Sequence, residues 1–368
     1  MIRYILALAV LGGCAAAPAG EGGERRLLYA ALPGIRNYVE WGGKGILVYD
    51  IDAGHKLLRR IPSPFDDVDG LVENVKGICA SAVTGRLYVS TIRRLACIDL
   101  VTERTLWVKP YEGGCDRMAI TPDGRWIYLP DLEKDRWHVV DALTGRVAKE
   151  LVTSQGSHNT VCPPLGRRVY MAGLRSPFLH VADPARHEVV LKVGPFSAPI
   201  RPFTINGAET LCYVNVNELI GFEIGDLRTG KVLHRVEVPG FQQGLIKRHG
   251  CPSHGVGLTP DEKEVWVVDA FNQAVHLYDN TSMPPKHLTS LKLETDQPGW
   301  VTFTINGDYA YPSTGEVIDV RARKTVSQLR DEAGRPVQSE KVLEIDVAGG
   351  VPVRAGDQFG VGRVLTSP

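Results

Sequence analysis

Asp116-Arg-Met-Ala-Ile-Thr-Pro-Asp-Gly-Arg-Trp-Ile-Tyr128 sets a short apolar segment before a Pro122-Asp123-Gly124 turn and an aromatic-bearing strand after it. Gly and Asp at such positions adopt the turn conformations that close a β-hairpin. The same layout recurs in Lys76 to Tyr88, His158 to Tyr170, Arg201 to Tyr213, His254 to Trp266 and Gly299 to Tyr311. The anchors Tyr88, Tyr128, Tyr170, Tyr213, Trp266 and Tyr311 are 40, 42, 43, 53 and 45 residues apart. A self-similar period in this range is the signature of a repeat architecture.

The residues after each anchor complete the unit. Trp137-His-Val-Val-Asp141 leads through Leu143-Thr-Gly-Arg146 into Val147 to Val152, a third strand, a turn and a fourth strand. Leu219 to Asp226, Thr229-Gly230-Lys231 and Val232 to Val238 repeat the pattern. Four short antiparallel strands repeated radially describe a propeller blade. Near the N-terminus, residues 27–31, 45–50 and 56–61 read as second, third and fourth strands lacking a first. Residues 340–347 read as a strand lacking a blade. Joined, they make a seventh blade that closes the ring and removes its open sheet edges. The expected fold is all-β, a seven-bladed β-propeller of four-stranded antiparallel blades closed by N- and C-terminal strands. Asp50, Asp99, Asp141, Asp226 and Asp279 recur at third-strand ends and read as turn-capping acids. His138, His234 and His276 alternate within strands and read as blade-surface residues.

Ser253-His-Gly-Val-Gly-Leu-Thr-Pro-Asp261, Val265-Trp-Val-Val-Asp269 and Val275-His-Leu-Tyr-Asp279 resemble the YVTN-type propeller repeats of exported bacterial proteins, with lactonase-like and quinoprotein-like propellers as relatives in shape. The resemblance spans nearly the whole mature chain and implies a fold. The Tyr-Val-Thr-Asn run itself is reduced to Tyr88-Val-Ser-Thr91 and Tyr213-Val-Asn-Val216.

The repeat also isolates one position per blade. First strands line a propeller's central channel, and the residues at the start of those strands are Lys76, Asp116, His158, Arg201, His254 and Gly299, with Trp300 adjacent and Glu340 in the seventh place. His158, His254 and Arg201 are the candidate catalytic residues. Lys76, Asp116, Arg201, Trp300 and Glu340 are the candidate substrate-binding residues. Two imidazoles can ligate a divalent transition metal, so His158 and His254, with His249, form a candidate metal set to which Asp116, Glu340 or Gln297 could add an oxygen. Alternatively a histidine acts as general base while Lys76 and Arg201 clamp a carboxylate or phosphate. That combination resembles the logic of propeller lyases that act on acidic sugars. The competing account is that strand starts at a wet axis are polar because they meet water. Lys247-Arg248-His249 lies in the long loop behind the 53-residue step, where a solvated loop and a functional one are equally consistent with the sequence.

Arg3 followed by the apolar run Tyr4 to Leu11 is too short to span a bilayer and suits an export signal. Leu11-Gly12-Gly13-Cys14 resembles a lipobox, which makes Cys14 the candidate lipidated residue. The alternative is ordinary cleavage after Ala17 or Ala19. The organisation expected is a signal over residues 1–20, a tether over 21–26 and one propeller over 27–368, placed in the periplasm or outer envelope. Contact with the membrane is expected only through Cys14.

Lys plus Arg and Asp plus Glu number 42 each, and no basic run with interleaved aromatics occurs, so nucleic acid is excluded as a partner class. A small molecule or an envelope protein is the partner expected. Of the cysteines after Cys14, Cys79, Cys97, Cys162 and Cys212 read as buried small hydrophobes, and Cys115 and Cys251 as loop residues open to pairing. Gly-x-Ser-x-Gly, Cys-x-x-Cys-His and Gly-rich phosphate loops are absent. Two functions remain: a metal-assisted lyase or lactonase-type hydrolase on an anionic sugar or carboxylate, or a non-catalytic propeller that binds a ligand or protein. Electron transfer lacks any ligation motif.

Overall fold

The computed structural model describes residues 23–245 and 250–365. The signal segment with Cys14, and the stretch containing Lys247, Arg248 and His249, lie outside the described residues. Seven antiparallel sheets form the ring, six of four strands and one of five. Blades 1 to 6 begin with the inner strands Val75–Ser81, Ala119–Ile120, Ser157–Val161, Ile200–Ile205, Val256–Leu258 and Val301–Phe303. Blade 7 joins Val342–Ala348 to Arg25–Leu32, Gly45–Asp50 and Lys56–Ile61, with Tyr29 opposite Leu343 and Leu27 opposite Ile345. The chain ends thus close the ring as the repeat requires.

Burial explains the sequence pattern. A middle strand such as Gly45–Asp50 is buried along its whole length because blades cover both of its faces. The outer strand Glu188–Val193 alternates, since only one face is covered. The aromatic anchors are all buried, and the hydroxyls of the five tyrosines reach the following blade, while the Trp266 indole N–H donates to Glu264 in its own strand. Tyr88 donates to the Ala142 carbonyl at 3.0 Å, Tyr170 to Glu209 at 3.1 Å and Tyr213 to Asn280 at 2.9 Å, while Tyr128 meets His187 at 2.7 Å and Tyr311 meets His55 at 2.8 Å. The anchor therefore fills the space between blades and ties one to the next. Tyr88→Phe is expected to leave the Ala142 carbonyl unpaired and to lower stability by about 1–1.5 kcal/mol, read as a shifted urea midpoint with unchanged slope.

The third-strand aspartates are turn caps. Asp50, Asp99, Asp141, Asp183, Asp226, Asp279 and Asp319 each accept a backbone N–H of the following turn, one in every blade.

Three expectations are corrected. His138 and His276 are not surface residues: they are 1% and 0% exposed, because their strands are covered on both faces. His138 meets the Glu112 carbonyl at 2.9 Å, and His276 meets Ser290 at 2.8 Å and Asp269 at 3.2 Å. His234, on an outer strand, is half-buried. Cys115 and Cys251 lie in loops but are buried and unpaired, and no disulfide occurs among the described residues. The closing blade carries a fifth strand, Val351–Ala355, which folds back through Gly349-Gly350 with φ of 59° and 82°.

Beyond that strand the chain crosses the channel. The inner strands of blades 1 to 6 have no sheet neighbour on the axial side, so their backbone groups need other partners. Residues 356–364 supply several. Gly360 accepts from the Leu258 N–H at 2.9 Å and from Thr204 at 2.8 Å, and the Gly362 N–H donates to Ile205 at 3.0 Å. The Gln358 amide bridges the Ile78 N–H and the Met118 carbonyl, and Trp300 donates its indole N–H to the Gln358 carbonyl. Phe359 packs against Phe203 and Trp300. This segment is a septum across the axis, with the starts of the inner strands on one side and their ends on the other.

Candidate functional site

At the starts of the inner strands, four of the expected positions converge. His158 Nδ1 lies 2.5 Å from Asp116 Oδ2, and Lys76 Nζ lies 3.3 Å from Asp116 Oδ1. His158 Nε2 meets Arg117 Nη1 at 3.3 Å, and Arg117 Nη2 pairs with Glu340. Lys341 Nζ completes the chain, donating to Glu340 at 2.8 Å and to the Gly34 carbonyl at 2.7 Å. The cluster runs from blade 1 through blades 2 and 3 to the closing blade. Gly77 allows this close approach, since a Cβ there would sit 3.0 Å from both Arg117 Cα and Met118 Sδ.

The tautomer of His158 is set by its partners. A guanidinium only donates, so Nε2 must be the acceptor and Nδ1 carries the proton given to Asp116. Burial depresses the imidazole pKa and keeps His158 neutral, against the pull of Asp116. Burial would raise Asp116, but His158 and Lys76 outweigh it and hold the carboxyl at about 2. Burial, then Arg117, bring Lys341 down to about 7 against the stabilising Glu340. With Lys341 charged, Lys76, Arg117 and Lys341 face the buried carboxylates Asp116 and Glu340, and the exposed Glu133 carboxylate stands within 4.8 Å of Asp116 and His158.

Trp300 joins through its face, with the Arg117 guanidinium 4.3 Å from the ring centroid. His254 lies 6.2 Å from Trp300, ring to ring, and its Nδ1 meets the Gly299 carbonyl at 3.0 Å. Arg201 is bound through Nε to Asn217 at 2.6 Å, and its terminal nitrogens approach Gly250. His254 thus stands beside the cluster, next to Trp300, while the contacts of Arg201 lie with Asn217 and Gly250, outside the cluster's hydrogen-bonded chain.

The candidate metal set is not supported by the donor chemistry. Among the described residues, the grouping of three or more metal-type donors is Asp116, Glu133 and His158, within 4.8 Å of one another, and His254 is not part of it. Both His158 nitrogens are engaged by protein groups, and Lys76 and Arg117 already neutralise this site. A further cation would meet repulsion. His249 lies outside the described residues.

Sequence reading missed Arg117, Lys341 and Asn159. Each directly follows a ring position, and a charged residue beside the otherwise apolar Met118-Ala119-Ile120 run was the available signal. Arg117 is 3% exposed with Nε lacking a hydrogen-bond partner, and Asn159 is 1% exposed with both amide atoms unpartnered. Buried polar atoms without partners are rare in native proteins and point to a role beyond the fold.

No family model matches the chain, and no curated protein matches it. Among solved structures, the chain is similar to hydrazine synthase of Kuenenia stuttgartiensis. The TM-score is 0.57 at 18% identity, over 79% of this chain and 88% of that one. The likeness is one of fold: both are built as β-propellers.

Proposed function

We propose that this is an exported propeller whose axial site binds a small carboxylate-bearing molecule and acts on it as a lyase, with His158 as general base. The observation that carries the reading is the buried cluster of Lys76, Arg117 and Lys341 around an Asp116–His158 pair, with the Arg117 Nε–H unsatisfied. Buried Arg117 and Lys341, with half-buried Lys76 beside them, offer cations to an anion, and a guanidinium suits a carboxylate. When the substrate carboxylate engages Arg117, Nη1 leaves His158 Nε2 and exposes its lone pair. Nε2 then takes the proton from the carbon next to the carboxylate. The released electron pair forms a C=C bond and expels the β-oxygen, which takes the proton from the His158 imidazolium as it leaves and returns the imidazole to its neutral form. Arg117 and Lys341 neutralise the charge that builds on the carboxylate, and Asp116 steadies the imidazolium. Trp300 and His254 offer a wall for a sugar ring. The same base could instead activate water against a lactone.

A panel of uronates, hydroxy acids and lactones, followed by calorimetry and by absorbance of an unsaturated product, tests this. His158→Gln is expected to abolish turnover, by at least about 10²-fold, while leaving binding. Arg117→Ala is expected to abolish binding. Because an anion raises the pKa of Lys341, binding at pH 8 should take up a proton and tighten as pH falls toward 6. Binding without turnover on every member of the panel would favour the non-catalytic ligand-binding reading, which the occupied Nε2 supports. Absence of any binding would sink both.

Export and lipid anchoring at Cys14 belong to the same proposal and rest on the Arg3 to Cys14 sequence. Loss of membrane fractionation and of palmitate labelling in Cys14→Ala is the result expected. Unchanged fractionation in that variant would remove the anchor.

A further inference from the structure

The septum leaves a second compartment on its far side. At the ends of the inner strands of blades 1 to 3, a cavity of about 300 Å³ opens between those strands and residues 353–363. Ile78, Met118, Ile120, Val161, Val353 and Phe359 are among its walls. The repeat shows how it arises. Eight residues before the anchor, blades 4, 5 and 6 carry Ile205, Leu258 and Phe303, and the C-terminal segment crosses beside them. Blades 1 and 3 carry Ala80 and Cys162 at that position, and Ala119, Ala355 and Gly356 add to the small residues around the space.

The polar groups of the rim are spoken for. Arg363 pairs with Asp357 at 3.2 Å, and Arg354 with Asp346 at 2.8 Å. Asp357 Oδ1 accepts the Phe359 and Val361 N–H groups, and Thr121 donates to Asp123. The side-chain amide of Gln358 is held by Ile78 and Met118. With charges matched within the rim, an added charge gains no partner, and the walls favour apolar surface.

We infer that this cavity is a binding site for a neutral, compact apolar group of about two rings, distinct from the axial site and separated from it by Gln358 and Trp300. An apolar protein cavity of about 150 Å³ holds benzene, so twice that volume fits a naphthalene-sized body. The space lies in the range of small-molecule sites, concave and mostly apolar with few polar groups at its margin.

2-Naphthol at neutral pH is the probe, uncharged, two-ringed and fluorescent. The expected result is saturable binding of one molecule per chain, with Tm raised by roughly 2 °C or more at saturation. Ala80→Phe and Ala119→Phe, from two different blades and checked for folding by near-UV circular dichroism, should each weaken binding at least about tenfold. Arg117→Ala should leave it unchanged, which separates this site from the axial one. Lack of saturable binding by the unaltered protein overturns the inference. So does undiminished binding in whichever filled variant is folded. The unaltered protein's isotherm decides the first point without any variant.

Discussion

Glu340→Ala is expected to lower stability by about 3–5 kcal/mol, the cost of leaving buried charges without their counter-ion. Glu340 is 4% exposed and stands between Arg117 and Lys341, each 3% exposed. Its removal strands a guanidinium and an ammonium in a site with Asp116 as the remaining buried carboxylate of the cluster. Lys341, already held at about 7, should lose its proton, while Arg117 cannot. The loss falls at the closure of the ring, because Glu340 precedes the strand that pairs with Arg25–Leu32. Urea unfolding measures it, and Glu340→Gln should cost clearly less, since an amide oxygen still accepts from Arg117. If the axial site is an anion site, added formate should restore part of the stability of Glu340→Ala, and raise it by more than it raises that of the unaltered protein. Equal loss in the alanine and glutamine variants would show that charge is not the cause.

A second large effect lies in the closing strand itself. Glu344 and Asp346 are 1% and 0% exposed, and Glu344 Oε1 and Asp346 Oδ1 both lack a partner, as two carboxyls sharing one proton would. The other Glu344 oxygen accepts from the Ile305 N–H, and Asp346 pairs with Arg354. Burial, joined by the neighbouring Asp346, raises Glu344 to about 8. The folded state therefore holds a proton that the unfolded chain gives up near the ordinary glutamate range. Stability should fall with rising pH between about 4.5 and 8, by about 1.4 kcal/mol per pH unit at most, and stop falling above. Across that window the loss is of order 3–5 kcal/mol. Glu344→Gln should remove this slope, because its amide N–H₂ can donate to Asp346 while its oxygen still accepts from Ile305. At pH 8 the variant is expected to be the more stable protein. Parallel urea midpoints for the two chains across this pH range would count against a shared proton.

How much was legible in the sequence differs between backbone and site. Blade number, anchors, turn acids and closure all rest on local patterns that repeat, and a repeat is read with six copies to compare. The fifth strand and the septum have no copy elsewhere in the chain, so no alignment of blades reveals them. His138 and His276 escape a sequence reading for a related reason. Alternation along a strand usually means one wet face, but in a propeller both faces of a middle strand are packed, and polar side chains there must find partners in the interior. The ring of strand starts was found because it is a repeat position. Arg117 and Lys341 were not, since only folding shows that the residue after a ring position, just ahead of its strand, also reaches into the cluster.

The repeat beginning Lys76, Asp116, His158, Arg201, His254 and Gly299 was by itself enough to determine a seven-bladed β-propeller and the position in each blade that faces the channel. Strand patterning and turn chemistry are local, and closure is required by the unpaired edges that an open ring would leave. Tertiary structure alone decided which of those residues meet. It joined Lys76, Asp116, His158 and Glu340 through Arg117 and Lys341, set His254 beside them next to Trp300, left Arg201 with Asn217, and divided the channel with residues 356–364. Those outcomes depend on distances across the ring between residues far apart in sequence, such as Arg117 and Glu340, 223 positions apart, and Gly34 and Lys341, 307 apart. Charge pairing and burial at that separation are fixed by packing of the whole ring, and no local pattern carries them.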